Sequence, residues 1–254
     1  MKALKFNLSG ETAFFKKPDV NTYIYFTYGQ IHKIALLGIL GSCLGLKGYN
    51  QQQKEDKYPE FYDKLQDLKI AIVPKSSHNG FIRKKVQTFN NSTMFCNKGS
   101  DKFGANLIIN EQWLEKPSWD IYVLLEENEV CAQLEHNFKN RVFKYIPYLG
   151  KNDHFANINN VEVIENIKKA DNITKIDSMF KRDVVEFMEI DDSYDGTSYE
   201  DEELDFKYQE KLPYKLDELT NQYILDTFIY SNMRVSVLDD SCIYRIKHLN
   251  ICFI

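Results

Sequence analysis

Residues 31–49, IHKIALLGILGSCLGLKGY, read as an apolar helix that carries Gly38, Gly41, Gly45 and Gly48. Gly38, Gly41, Ser42 and Gly45 recur at i, i+3, i+4 and i+7, so one face is nearly bare while Ile34, Leu37, Leu40 and Leu44 supply apolar bulk. A glycine inside a helix costs about 1 kcal/mol relative to alanine. The cluster therefore predicts close backbone approach, either to a sheet packed beneath the helix or to a ligand. A phosphate-binding P-loop would need Gly-Lys-Ser/Thr, but Leu46 follows Gly45 and Gly48 follows Lys47. The dinucleotide fingerprint needs a different glycine spacing. Lys33 and Lys47 leave thirteen residues between them, short of the roughly 20 of a membrane span. Thirty residues that are largely polar and aromatic precede the segment, which argues against a signal peptide. It reads as a core helix.

With 254 residues, 43% of them hydrophobic, the chain can bury a core of one large domain or two small ones. Cys43, Cys96, Cys131, Cys242 and Cys252 form no CxxC, and the five histidines show no paired ligand spacing. This favours reduced, buried thiols in a cytoplasmic protein and no metal or other cofactor. The net charge of −5 would argue against a polyanionic partner were it spread evenly. Instead, residues 1–110 hold 16 Lys+Arg against 8 Asp+Glu, a net of +8, whereas residues 184–254 hold 6 against 16, a net of −10. The asymmetry points to a basic working surface in the amino-terminal half and to an acidic part that faces protein or solvent.

Leu4, Phe6 and Leu8 alternate with polar residues as a half-buried strand does. An aromatic and basic loop over residues 14–28 leads to the glycine helix, and a polar connector to a short apolar strand at 68–73. Residues 75–109 are polar, basic and alternating, which predicts an extended hairpin. IYVLL at 121–125 reads as a central strand buried on both faces. Next come a helix at 128–140, a loop at 145–152 containing Pro147 and Gly150, and an alternating strand through Val161 and Val163. The order strand, helix, strand, strand, helix, strand is the split βαβ of an α+β, ferredoxin-like (RRM-like) domain over residues 1–167. Residues 168–254 read as a small β-rich region, with strand candidates at 184–190, 206–216, 223–230 and 243–253. An acidic loop at 189–205 carries nine acids and no base.

The segments GETAFFKKPD, HKIALLGILGSCLGLKGY, IRKKVQTFNN, EQWLEKPSWDIYV and PYLGKN, in that order over the first two thirds of the chain, resemble the Cas-five family of RAMP-type subunits of type I CRISPR surveillance complexes (Cascade). The general look is closest to the I-B branch. The resemblance implies a non-catalytic subunit in antiviral defence, with a RAMP fold and a thumb hairpin at about 75–109. It would bind the 5′ handle of the crRNA, cap the backbone of the complex, contact a backbone RAMP subunit and the large subunit, and meet target DNA only indirectly, away from any membrane. The residue types agree, because single-stranded RNA is held by cations on phosphates, aromatics stacked on bases, and polar groups reading edges or 2′-hydroxyls. Candidates are Lys16, Lys17, Tyr23 and Tyr28 before the helix, and His32, Lys33 and Lys47 at its ends. Arg83, Lys84, Lys85, Gln87, Asn90 and Asn91 lie on the hairpin, and Tyr148, Gly150, Lys151 and Asn152 in the glycine-containing loop. Phe14, Tyr25 and Phe26 are expected in the core.

Two other classes stay open. One branch of the family processes precursor crRNA without metal, using a tyrosine and a mid-chain Lys-His pair. Tyr49 could serve here, but the Lys247–His248 dipeptide is out of place. A free-standing RRM-like regulator would expose aromatics on two central strands, and IYVLL offers only Tyr122.

Overall fold

The computed structural model describes residues 1–19, 23–75, 78–91, 107–188 and 204–254. In chain order the elements are β1 (Lys2–Ser9), β2 (Thr12–Ala13), α1 (Lys33–Leu44), α2 (Glu60–Leu65), β3 (Ile70–Pro74), β4 (Lys84–Asn90), β5 (Ile108–Glu115), β6 (Ser118–Leu125), α3 (Glu129–Asn140) and β7 (Asn157–Ile164). The second part adds β8 (Lys168–Lys169), β9 (Phe180–Lys181), β10 (Val185–Phe187), β11 (Lys207–Leu216), β12 (Tyr223–Ser231), β13 (Val235–Val237), β14 (Ile243–Ile246) and β15 (Leu249–Cys252).

The central sheet has the order β3-β6-β1-β7, every pair antiparallel. With α1 between β1 and β3 and α3 between β6 and β7, this is the ferredoxin-like arrangement expected of an α+β chain. On one face Leu4, Phe6 and Leu8 share a core with Leu36, Leu37 and Leu40 of α1 and with Leu134 and Phe138 of α3. The Phe6 and Phe138 rings lie 4.7 Å apart. Each such side chain, taken out of water, contributes about 1.5–3 kcal/mol. The opposite face, with Ala3, Ala71, Val73, Tyr122 and Leu124, is covered by Tyr244, Ile246, Ile251 and Phe253 of the β14–β15 hairpin. IYVLL is therefore buried on both sides. An RRM-type stacking platform has no room there, since Tyr122 is in the core. β11 and β12 pair with each other, and Leu212, Leu216 and Phe228 join the core of α1.

The glycine helix is shorter than the apolar run suggests, and its bare face meets a different neighbour. Gly45 closes α1 in the left-handed conformation at φ 82°, with its N–H on the carbonyls of Gly41 and Ser42. The αL end without a Cβ penalty is what a helix terminus requires. Gly45 and Gly48 thus lie beyond the helix, and residues 49–51 form a single 3-10 turn. Gly38 and Gly41 face Phe61 of α2 rather than the sheet. A Cβ on Gly41 would stand 2.7 Å from the Phe61 Cβ, and one on Gly38 3.9 Å from its ring. Gly41→Leu is expected to push α2 off α1 and cost about 1–3 kcal/mol. A urea melt unchanged from the parent would refute that contact.

The other strand predictions shift at their edges. The first arm of the predicted 75–109 hairpin begins at Lys84, and the second runs on to Glu115, where Lys116 (φ 45°) turns the chain into β6. The candidate at 243–253 is two strands folded at Lys247 (φ 57°). The candidate at 184–190 is seen as β10 only, its last two residues falling outside the described ones. The hairpin tip over 92–106, Cys96 and all but the end of the acidic loop also lie outside them.

Candidate nucleic-acid interface

β4 and β5 pair in register from Lys84↔Leu114 to Asn90↔Ile108, and β2 adds to the far side of β5. Because side chains alternate along a strand, Lys85, Gln87 and Phe89 share one face with Trp113, Glu111 and Ile109. Lys84, Val86, Thr88 and Asn90 share the other with Leu114, Gln112, Asn110 and Ile108. The sequential trio Arg83, Lys84 and Lys85 is thereby split. Lys84 is exposed on the other face, its ammonium 3.4 Å from the Thr27 carbonyl, where desolvation lowers its pKa against the raising effect of Glu210. Lys85 lies 3.8 Å from Glu115 and over the Trp113 ring at 5.9 Å. Arg83 is exposed at the base of the arm.

Two loops dock on this hairpin. The 14–28 segment folds back on itself through hydrogen bonds from the N–H of Lys17 to the Phe26 carbonyl and from that of Tyr28 to the Phe15 carbonyl, both 2.8 Å. It then joins β5: the Tyr25 N–H donates to the Asn110 carbonyl, and the Gln112 N–H to the Tyr25 carbonyl, both at 2.9 Å. Tyr25, expected in the core, is half-buried with the Lys16 ammonium 4.0 Å above its ring. Tyr23 is 87% exposed beside Asn110, whose amide donates to its carbonyl at 3.2 Å.

The 145–155 loop comes in from the other side. Its Leu149 carbonyl accepts from the Phe14 N–H at 3.1 Å, and Gly150 (φ 90°) sits so close that a Cβ would stand 1.8 Å from the Phe14 carbonyl oxygen. Only glycine meets both demands. Lys151 follows, with its ammonium 3.1 Å from each oxygen of Glu111 and 5.3 Å from the Phe89 ring centroid. Glu111 is 5% exposed and also accepts from the Trp113 indole at 2.8 Å. His154 stacks edge-on to Trp113, with Nδ1 2.6 Å from the Thr12 hydroxyl. Tyr148, Asn152, Tyr145 and Phe155 all remain exposed on this loop.

Four predicted contacts are corrected. Tyr28 is 2% exposed, a core residue, and desolvation raises its hydroxyl pKa far above the ordinary value. His32 is 3% exposed among the rings of Phe15, Tyr28 and Tyr223. Its Nδ1 caps α1 by accepting from the Ala35 N–H at 3.2 Å, so the helix terminus points at an imidazole rather than at solvent. Lys33 is buried, donates to the Ile254 carbonyl at 3.2 Å and lies over the Tyr214 ring; desolvation brings its pKa down to about 8. Lys17 is tied at 2.7 Å to Glu210, whose carboxylate also accepts from the Gly29 N–H and the Tyr208 hydroxyl. The acidic part of the chain thus reaches into the basic loop. Lys47 is exposed at the carboxyl end of α1 and lies outside the hairpin–loop surface, its N–H donating to Glu60 of α2.

The burial of His32 sets a pH dependence. Desolvation holds the folded imidazole neutral, with its pKa pushed down to about 3, while the unfolded chain protonates it near 6.5. The unfolded state then binds the extra proton, so the stability His32 contributes is whole above about 6.5 and falls by roughly 1.4 kcal/mol per pH unit as pH drops toward 3. His32→Asn keeps a capping oxygen and removes the titration. Urea denaturation between pH 7 and 5 should show a shallower loss for the variant, and parallel slopes would refute the buried neutral imidazole.

Sequence reasoning missed Phe89, Glu111 and Trp113 as organisers of the surface, and Phe155 as an exposed ring. The alternation of Glu111, Trp113 and Glu115 was the available signal for extending the hairpin, but which face met the 145–155 loop was not encoded locally. Among the described residues no group of three His, Cys, Asp or Glu side chains could hold a metal, and no helix is long and apolar enough to cross a membrane.

No protein-family model and no curated protein matches the chain. Solved structures do. A chain of a CRISPR RNA-guided surveillance complex superposes with a TM-score of 0.50 at 12% identity, covering 93% of this chain and 91% of that one. A CRISPR protein from Archaeoglobus fulgidus superposes with a TM-score of 0.50 at 10% identity, covering 99% and 98%.

Proposed function

We propose that this chain, which has the fold of CRISPR-associated RAMP-type proteins, is a crRNA-binding subunit of a CRISPR effector complex that holds the 5′ handle along its hairpin and flanking loops without cutting it. The observation that carries the reading is the convergence of three separate segments on one surface. There the hairpin, the 14–28 loop and the 145–155 loop are hydrogen-bonded together, with Lys16, Arg83 and Lys85 as cations. Tyr23, Tyr148 and Phe155 are exposed rings and Tyr25 a half-buried one, and Gln87, Asn91 and Asn152 add amides on the same segments. Cations interleaved with exposed rings on an open ridge suit a single strand laid across it. The type I-B subtype, the capping of the complex backbone, contact with a backbone RAMP subunit and the large subunit, and a cytoplasmic location belong to the same proposal. The non-catalytic part is supported by His32, which is buried, and by Lys247, which pairs at 3.1 Å with Glu162 on β7 rather than with Tyr49.

The test is filter binding of the cognate repeat RNA over a salt series. Each lost phosphate contact on a single strand lowers the log–log slope by about 0.7. Arg83→Ala with Lys85→Ala is expected to remove one to two such contacts, whereas Lys84→Ala and Lys33→Ala should leave the slope unchanged. Equal effects from all four would sink the assigned face. RNA recovered from the same reactions should be intact. Specific cleavage abolished by Tyr49→Phe would instead support a precursor-processing endoribonuclease.

A further inference from the structure

Outside the RNA surface, the hairpin that covers the back of the central sheet holds two cysteines in contact. Cys242 immediately precedes β14 and Cys252 ends β15, ten residues apart, with their Sγ atoms 3.2 Å from each other. The backbone holds them there. The Phe253 N–H donates to the Cys242 carbonyl at 2.8 Å, and the Cys252 N–H donates to the Ser178 hydroxyl at 2.9 Å. Cys252 is fully buried among Ile176, Phe180, Ile229 and Ile243, while Cys242 is half-buried at the rim of the same cluster. One cysteine keeps part of its surface in solvent and the other is shielded but in reach of the first. Bringing two sulfurs at 3.2 Å to a bond of about 2.05 Å asks for a movement of about 1.2 Å.

We propose that Cys242 and Cys252 form a dithiol that exchanges with low-molecular-weight disulfides of the glutathione type, closing reversibly into a disulfide that clasps the β14–β15 hairpin. Cys242 is the attacking group. It keeps part of its surface where Cys252 is fully buried, and the contact between the two thiols sets its pKa below the ordinary thiol value, while that contact together with burial holds Cys252 well above it. The Cys242 thiolate attacks one sulfur of the small disulfide. The S–S bond breaks, one thiolate leaves, and a mixed disulfide stands on Cys242. Cys252 then gives up its proton to solvent and attacks the Cys242 sulfur, expelling the second small thiolate. Two protein thiols are oxidised to one disulfide, and one small disulfide is reduced to two thiols. The clasp shortens the excursions of a hairpin that carries Tyr244, Ile251 and Phe253 onto the sheet.

The experiment uses the full chain in a Cys96→Ser background, incubated with oxidised glutathione and then alkylated. The mass of the intact chain should fall by two hydrogens before alkylation. Peptide mapping should show Cys242 joined to Cys252 while Cys43 and Cys131 remain alkylatable after unfolding, and the melting temperature should rise and return on reduction. In Cys252→Ser the reaction should stop at a stable glutathione adduct on Cys242, and Cys242→Ser should take up no glutathione. Cys242 and Cys252 both alkylated when the oxidant-treated protein is unfolded would overturn the proposal. So would a glutathione adduct that persists on Cys242 when Cys252 is intact. Neither readout involves RNA, so the result stands apart from the fate of the RNA-binding assignment.

Discussion

Gly150→Ala is expected to destabilise the chain by about 4 kcal/mol, from a left-handed backbone that alanine resists and a Cβ forced against a neighbouring main chain. Gly150 has φ 90°, and the added Cβ would stand 1.8 Å from the Phe14 carbonyl oxygen and 2.7 Å from its carbon. No side-chain rearrangement relieves a clash between two backbones. The 145–155 loop must therefore lift away, breaking the bond from the Phe14 N–H to the Leu149 carbonyl and withdrawing Lys151 from Glu111. A drop in melting temperature should accompany loss of RNA retention. Gly48→Ala serves as the control, because a Cβ there meets open space and should leave both unchanged. A Gly150→Ala protein that melts like the parent would show that the two segments do not approach as closely as described.

Lys151→Met should cost about 3 kcal/mol, the low end of the loss when one partner of a buried pair is removed, since the lysine itself keeps some solvent. The Glu111 side chain is 6% exposed and that of Lys151 31%, so among the described residues the variant leaves the carboxylate with the Trp113 indole as its side-chain donor. Glu111→Gln should cost much less, because the lysine can swing to water and the amide oxygen still accepts from Trp113. The double variant should recover most of the loss. The two single variants also separate structure from RNA contact. Lys151 was predicted to contact phosphate, yet its charge is spent on Glu111. Glu111→Gln frees that charge and is expected to steepen the salt dependence of RNA retention by about 0.7. An unchanged slope in Glu111→Gln, together with a reduced one in Lys151→Met, would mean that the lysine serves RNA without leaving its carboxylate.

The legibility of this chain divides along the range of the interactions involved. Period-two alternation placed β1 and β7, a continuous apolar run placed β6, and helical spacing placed α3, where Asn128 caps the first turn by accepting from the Cys131 N–H at 2.8 Å. Each depends on neighbours within a few residues, so local pattern is enough to give the element order and, with it, the α+β ferredoxin-like class. The cations and rings of the amino-terminal half were also visible as composition. Their fates were not. Tyr25 and Tyr28 are three residues apart with the same chemistry, yet one lies under Lys16 at the surface and the other against His32 in the core. Lys16 rests on a ring, where its neighbour Lys17 is bound by the carboxylate of Glu210, nearly two hundred residues away. Lys84 and Lys85 point to opposite faces because of a register set with β5. The glycines of α1 announced a close approach but not that Phe61 would be its object. Burial, charge pairing and facing are properties of residues distant in the chain and adjacent in space. Only the tertiary structure, which brings β11, the 145–155 loop and α2 onto the amino-terminal half, decides which of the legible residues remain available to a ligand.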